Sequence, residues 1–157
     1  MQPLPHDQWL GVVQRAPLVS IDLVVSNTKG EVLVGWRTNK PAQHTWFVPG
    51  GVVRKGETLQ QGFERTVLDE LGVNTLLNRT DVFCNVYEHH YPDNFAGQSG
   101  FGTHYVVLAH RLTVAQLGVG DLPLQALPKA QHKQYVWMRP AELLIHPDVH
   151  ANTKAYF

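Results

Sequence analysis

The stretch from Gly50 to Val73, GGVVRKGETLQQGFERTVLDELGV, decides how this chain folds. It opens on a glycine pair after Pro49, where backbone carbonyls and amides can approach a ligand without obstruction from side chains. Thr58 and Gln61 have capping-box spacing, the reciprocal pairing that starts a helix. Leu59, Phe63, Val67 and Leu71 recur every four positions, which predicts an apolar stripe along a helix of about fourteen residues, stopped by Gly72. The helix and its lead-in supply Glu57, Arg65, Asp69 and Glu70. Position 66 and Glu70 share a face, set about 60° from the Val67 stripe, so Glu70 borders the core with its carboxylate toward the glycine pair. Carboxylate plus backbone carbonyl oxygen is a hard-ligand set suited to Mg²⁺, which keeps positions for water or substrate phosphates. The competing reading is a solvated amphipathic helix whose charges do nothing.

Upstream, Leu18 to Ser26 and Glu31 to Arg37 are rich in β-branched residues and flank the turn Asn27-Thr28-Lys29-Gly30, which predicts a β-hairpin. Thr45 to Val48 is a short extended segment leading into the glycine pair. Downstream, β-type runs at Asp81 to Tyr91 and Thr103 to Leu112 enclose a glycine-rich loop. Another such run covers Lys133 to Met138, and Pro140 opens a last helix through Ile145. Strands and helices in this order predict an α/β layered fold with a mixed sheet, in one domain spanning all 157 residues.

Composition narrows the function. Lys plus Arg and Asp plus Glu each number 13, for zero net charge, and 17% of residues are charged. That excludes a general nucleic-acid sleeve and leaves any polyanion to a local pocket. The single cysteine, Cys84, excludes an intramolecular disulfide; within the run Val82 to Tyr87 it reads as a small core residue in a reducing compartment. With no apolar signal segment and no run of membrane-spanning length, the expected location is cytoplasmic, with no membrane or nucleic-acid partner. Nine histidines are the one oddity.

Gly51, Glu57, Arg65, Val67, Glu70, Gly72 and Val73 fall on the fixed positions of the Nudix box, G-x5-E-x7-R-E-U-x-E-E-x-G-U with U aliphatic. With the lead-in Trp46, Pro49 and Gly50, the segment resembles the Nudix hydrolase superfamily, which implies the Nudix fold, a mixed β-sheet sandwiched between helices. Two positions depart from the box: Thr66 and Asp69 stand where it has Glu. Loss of the carboxylate that shares a face with Glu70 implies a single metal and a base from elsewhere. That departure is similar to the GDP-mannose mannosyl hydrolase family. The likeness extends to Pro17–Asp22, Arg37–Pro41, Asp93-Asn94-Phe95 with Gly97, Thr103–Leu108, Gln131-His132, and the ending VHAN followed by AYF. It implies Mg²⁺-dependent hydrolysis of GDP-mannose, or of GDP-glucose, to GDP and free sugar, with one ion per subunit and Mn²⁺ as a substitute. Water attacks the anomeric carbon with inversion.

The resemblance implies roles residue by residue. His132 matches the general base, an imidazole able to accept a proton near neutrality. Gly50, Glu70 and Gln131 match the metal ligands. Arg37 matches a leaving-group contact, Asp22 and His89 contact the sugar or aid departure, and Tyr105 hydrogen-bonds the diphosphate. GDP is a weak base, so no general acid is needed, unlike an ordinary inverting glycosidase. Arg65, the box arginine, falls among the substrate-binding set but is read as holding Glu70 in place. Val52 replaces an expected arginine, and Arg54, two residues on, is expected to take over its diphosphate contact. Trp9 matches an aromatic position that stacks on the base, although a core or dimer-interface role fits it equally. A homodimer is implied, and the Pro92–Gly102 loop is either a cover over the sugar or an ordinary connection. Two other functions fit the residues: a Nudix pyrophosphohydrolase cutting a nucleoside diphosphate sugar at phosphorus, and an inactive nucleotide-binding module. Thr66 and Asp69 invite the latter; Glu70, Gln131 and His132 together oppose it.

Overall fold

A computed structural model describes residues 4–157. In chain order the elements are α1 (His6–Arg15), β1 (Leu18–Ser26), β2 (Val32–Arg37), β3 (Trp46–Phe47), β4 (Gly50–Val52), α2 (Leu59–Leu71), β5 (Phe83–Tyr91), β6 (Thr103–Thr113), β7 (His132–Met138), α3 (Pro140–Ile145) and α4 (Ala151–Lys154). Strand β1 is the axis. It runs parallel to β6 from Leu18↔Tyr105 to Ser26↔Thr113, and antiparallel to β4 through Ser20, Ile21 and Asp22. The seven-stranded mixed sheet has the order β3-β2-β1-β6-β5, with β4 also on β1 and β7 on β2. The turn after β1 is tied by the Asn27 side chain, which accepts from Lys29 N and Glu31 N at 3.0 Å. The expected hairpin pairs only at Ser26↔Val32, because β2 then diverges to pair with β7 from Val32↔Met138 onward.

Alternation along β1 feeds two cores. Ile21, Leu23 and Val25 pack with Phe63, Val67 and Leu71 of α2. Val24 faces the other side, with Val34, Phe47, Leu143, Val149 and Tyr156. The sheet is thus covered on both faces, as the resemblance to Nudix hydrolases implies. Phe63 is fully buried, so its truncation to Ala is worth about 3–5 kcal/mol of stability. Helix α2 begins with the anticipated capping box: Thr58 Oγ1 accepts from Gln61 N at 3.2 Å, and Thr58 N donates to Gln61 Oε1 at 2.8 Å. It ends at Gly72 in the left-handed region, φ 69°.

Two features depart from expectation. Helix α1 precedes the sheet, follows Pro5 and buries only Val13. Cys84 is exposed and is not a core residue: β5 is an edge strand, and a register irregularity between Phe83 and Asn85 interrupts its alternation. Among the described residues, no helix is long and apolar enough to cross a membrane.

Candidate active site

Six of the residues singled out above, Asp22, Arg37, Gly50, His89, Tyr105 and Gln131, line one cavity of about 100 Å³. The sheet explains the convergence. Asp22 pairs with Gly50 across β1 and β4, and His89 pairs with Tyr105 across β5 and β6. Gly50 must be glycine, since a Cβ there would strike Asp22 Oδ1 and Ile21 O. Arg37 ends β2 and is aimed by two bonds: Nε donates to Pro41 O at 3.0 Å and Nη1 to Gln131 Oε1 at 3.2 Å. The turn that presents Pro41 O holds Ala42 and His44 at φ 60° and 61°, a strained conformation for non-glycine residues. Whole small-molecule sites run to about 300–1,000 Å³, so this cavity admits only the central part of a nucleotide-sized ligand.

At its edge is a cluster of oxygen atoms. Gln131 Nε2 donates to both Gly50 O, at 3.2 Å, and Glu70 Oε1, at 2.9 Å. A partly positive amide therefore bridges two inward-facing oxygens, the place a cation would take. With the Gln131 amide turned, its own oxygen completes a hard-ligand set that fits Mg²⁺. Glu70 is buried on α2, and that burial raises its carboxyl to about 7 against the lowering effect of the Arg37 charge. Thr66, where the box has Glu, is buried and donates to Gly62 O at 2.7 Å. Asp69 points outward and pairs with Arg65 at 3.3 Å and Arg54 at 3.8 Å. Helix α2 thus directs one carboxylate, Glu70, at the cluster.

Two of the lining residues, Asp22 and His89, are backed by a residue given no role by the sequence. Tyr156 Oη donates to Asp22 Oδ2 at 2.5 Å and lies 3.4 Å from His89 Nε2. Burial raises Asp22 to about 7 against the lowering effects of the Tyr156 bond and of Arg37. Burial also lowers His89 to about 4, keeping it neutral at neutral pH. The Arg111 guanidinium anchors this C-terminal segment by donating to Tyr156 O and lying 5.1 Å from the Phe157 ring.

His132, the residue matched to the general base, opens β7, is fully buried and is absent from the cavity lining. Its Nε2 stands 3.8 Å from Glu70 Oε2, and neither ring nitrogen makes a hydrogen bond. Burial, with the charge of Arg37, lowers it to about 4. Space for the ring exists because residue 35 is glycine: a Cβ there would collide with it.

Three other expected site residues lie outside the cavity. Arg65 does not hold Glu70; it clamps the loop before α2, donating to Glu57 Oε1 at 2.5 Å, Glu57 Oε2 at 2.9 Å and Val52 O at 2.8 Å. This bonding holds the Glu57 carboxyl down at about 2. Val52 lines the cavity while Arg54, half-exposed, reaches toward Asp69 and not toward the place of the missing arginine. Trp9 on α1 packs near Phe95, with ring centroids 6.5 Å apart. The loop bearing Phe95 is internally stapled: buried Asn94 donates to Gln98 O at 2.8 Å and Phe101 O at 3.0 Å.

Comparison with known proteins agrees with the fold. The "Low-salt glycan biosynthesis protein Agl8" of Haloferax volcanii is 37% identical over 147 residues, covering 93% of this chain and 86% of that protein. A MutT NUDIX hydrolase from Burkholderia pseudomallei superposes with TM-score 0.61 at 18% identity, over 90% of this chain and 95% of the other. The NUDIX domain of Shewanella oneidensis NrtR, solved with ADP ribose, gives TM-score 0.54 at 17% identity, over 93% and 90% of the two chains. The NUDIX domain family matches residues 16–157, and this chain belongs to that family of hydrolase-type folds.

Proposed function

We propose that this Nudix hydrolase cleaves a GDP-linked hexose, GDP-mannose or GDP-glucose, at the anomeric carbon, releasing GDP and the inverted sugar. The observation that carries the reading is Thr66. A buried hydroxyl bonded to Gly62 O replaces a box carboxylate, so Glu70 is left to act with Gly50 O and Gln131 and no second inward carboxylate on α2. That set suits one divalent ion, Mg²⁺ or Mn²⁺. When bound, the ion offsets charge that develops on the departing diphosphate. Arg37 faces the same cavity and adds a fixed positive charge, and Tyr105 offers a hydroxyl to a diphosphate oxygen. Asp22, held by Tyr156, and neutral His89 form the wall against which the sugar is oriented. His132 is a neutral acceptor at neutral pH and serves as the base once its ring turns from behind Glu70 and Gln131 toward the cavity. Trp9 and Arg54 bind only if parts of the ligand extend beyond the cavity, toward α1 and the start of α2. The glycan-biosynthesis name of the Haloferax relative and the ADP ribose held by the NrtR domain are both in keeping with a nucleotide-sugar ligand. A homodimer, in a reducing cytoplasmic setting, belongs to the same reading.

The test is hydrolysis of GDP-α-mannose in H₂¹⁸O with Mg²⁺, followed by NMR and mass spectrometry. Label in mannose, with β-mannose appearing first, is the expected result. Mannose 1-phosphate with labelled phosphate places the attack at phosphorus, and binding without turnover identifies a nucleotide-binding module; either result refutes the proposal. His132→Gln and Asp22→Asn assign the base: the first is expected to lose the rate across the pH range, the second to retain a measurable part of it.

A further inference from the structure

Strands β5 and β6 carry a second group of ligating side chains on the face opposite the cavity. The register pairs His89 with Tyr105 and, one step along, His90 with His104. Successive residues of a strand project to opposite faces, so when His89 and Tyr105 face the cavity, His90 and His104 face away from it. Glu88, two residues before His90, shares their side. The His90 and His104 rings are stacked, with centroids 4.2 Å apart and planes at 24°. Glu88 Oε1 lies 3.9 Å from His104 Nε2. One nitrogen from each imidazole and one Glu88 oxygen fall within 4.8 Å of one another. His104 Nε2 is itself buried and has no hydrogen-bond partner. A groove of about 430 Å³ adjoins the two histidines, walled on its far side by Val13 to Pro17 at the end of α1.

Two imidazoles and a carboxylate are thus gathered around His104 Nε2, a buried ring nitrogen that has no hydrogen-bond partner. Ligand atoms around a tetrahedral Zn²⁺ stand about 3.3 Å apart, from Zn–N and Zn–O bonds of about 2.0–2.1 Å. Closing from 4.8 Å to that spacing needs movements of about 1 Å per side chain and a turn of one imidazole out of the stack, and Glu88 and His90 are the exposed members of the set. Two nitrogens and one oxygen are a donor set for borderline first-row ions, whereas Mg²⁺ and Ca²⁺ prefer all-oxygen sets. We propose that Glu88, His90 and His104 form a second metal site, for Zn²⁺ or a similar borderline divalent ion, that ties β5 to β6. Its remaining coordination positions open to the groove. The tie lies one register step from the His89–Tyr105 pair, on the edge strand of the sheet, and so braces one wall of the cavity without entering it.

The experiment is calorimetric titration of the full-length, tag-free protein with ZnCl₂ in excess Mg²⁺, with Co²⁺ as the spectroscopic probe. One Zn²⁺ per chain at micromolar or tighter affinity is expected, with visible Co²⁺ absorption of low-coordinate type. Glu70→Gln keeps this binding, while His90→Ala and His104→Ala each weaken it at least tenfold. If His104→Ala fails to fold, His90→Ala and Glu88→Gln, both at exposed positions, decide the question. Zn²⁺ binding that is absent, that survives the His90 and Glu88 substitutions, or that disappears in Glu70→Gln overturns the proposal.

Discussion

Glu70→Gln is expected to make the metal-free protein more stable at alkaline pH while abolishing its response to Mg²⁺. Glu70 is 5% exposed, and burial raises its carboxyl from 4.5 to about 7. The folded protein therefore keeps a proton that the unfolded chain releases. The stability this proton contributes is fully present below pH 4.5, declines above it, and is lost as pH rises through about 7. At about 1.4 kcal/mol per pH unit, the cost reaches about 3 kcal/mol at pH 8.5 and only about 1 kcal/mol at pH 5.5. Gln has nearly the same shape and still offers an acceptor to Gln131 Nε2, so the variant avoids the cost without opening a cavity. In a chain of this size about 3 kcal/mol corresponds to roughly 6–12 °C in Tm. Urea unfolding in EDTA at the two pH values measures the difference, and repetition with Mg²⁺ measures the linkage. Wild type should gain from Mg²⁺ chiefly above pH 7, where Glu70 is ionised, and the variant should gain nothing. A variant no more stable than wild type at pH 8.5 in EDTA, or a difference that does not change with pH, refutes the reasoning.

Other perturbations test neighbouring parts of the structure. Gly35→Ala drives a methyl group into the buried His132 ring; it should cost about 1–3 kcal/mol by urea unfolding and reduce turnover, and unchanged stability would show that the ring has room to move. His110 is fully buried, with Phe63 and Phe83 at centroid distances of 5.0 and 5.7 Å, and burial lowers it from 6.5 to about 4. Its contribution is present above pH 6.5 and lost as pH falls through about 4, so His110→Phe should reduce the pH slope of stability in that window by about 1.4 kcal/mol per unit. Tyr156→Phe removes the donor that lowers Asp22; the fold should persist at a cost of about 1–3 kcal/mol, and the acid limb of kcat/KM should move to higher pH, whereas an unmoved limb would remove Tyr156 from the site.

What could be read from the sequence follows from how local each determinant is. The start, stripe and stop of α2 each depend on residues within about one turn, and the structure reproduces Thr58, Gln61 and Gly72 in those roles. The cavity residues were legible through a motif, since a resemblance carries positions across strands that composition cannot join. Tyr156 was not legible, because its partner Asp22 lies 134 residues away. The burial of His132 was equally hidden, since it depends on the missing Cβ of Gly35 on the neighbouring strand. The exposure of Cys84 depends on a register irregularity and on β5 being an edge, neither of which appears in an apolar run. Helix α1 escaped because it is only ten residues long and follows Pro5 with no capping side chain to mark its start.

The zero net charge of the chain acquires a meaning at the cavity. Asp22 and Glu70 both rise to about 7 through burial, and the cationic side chain among the described lining residues is Arg37. With both carboxylates ionised, the two acids and the arginine sum to one negative charge, which repels a diphosphate. In the proposed function a divalent cation held by Glu70, Gly50 and Gln131 would reverse that sign. Glu70, whose charge Arg37 offsets only in part, would recruit that cation, so metal and diphosphate would favour each other's binding. Arg37 reinforces this coupling because one of its donors is already committed to Gln131 Oε1 at 3.2 Å. When the Gln131 oxygen turns to the cation, that donor is released toward the cavity, where the diphosphate oxygens would lie.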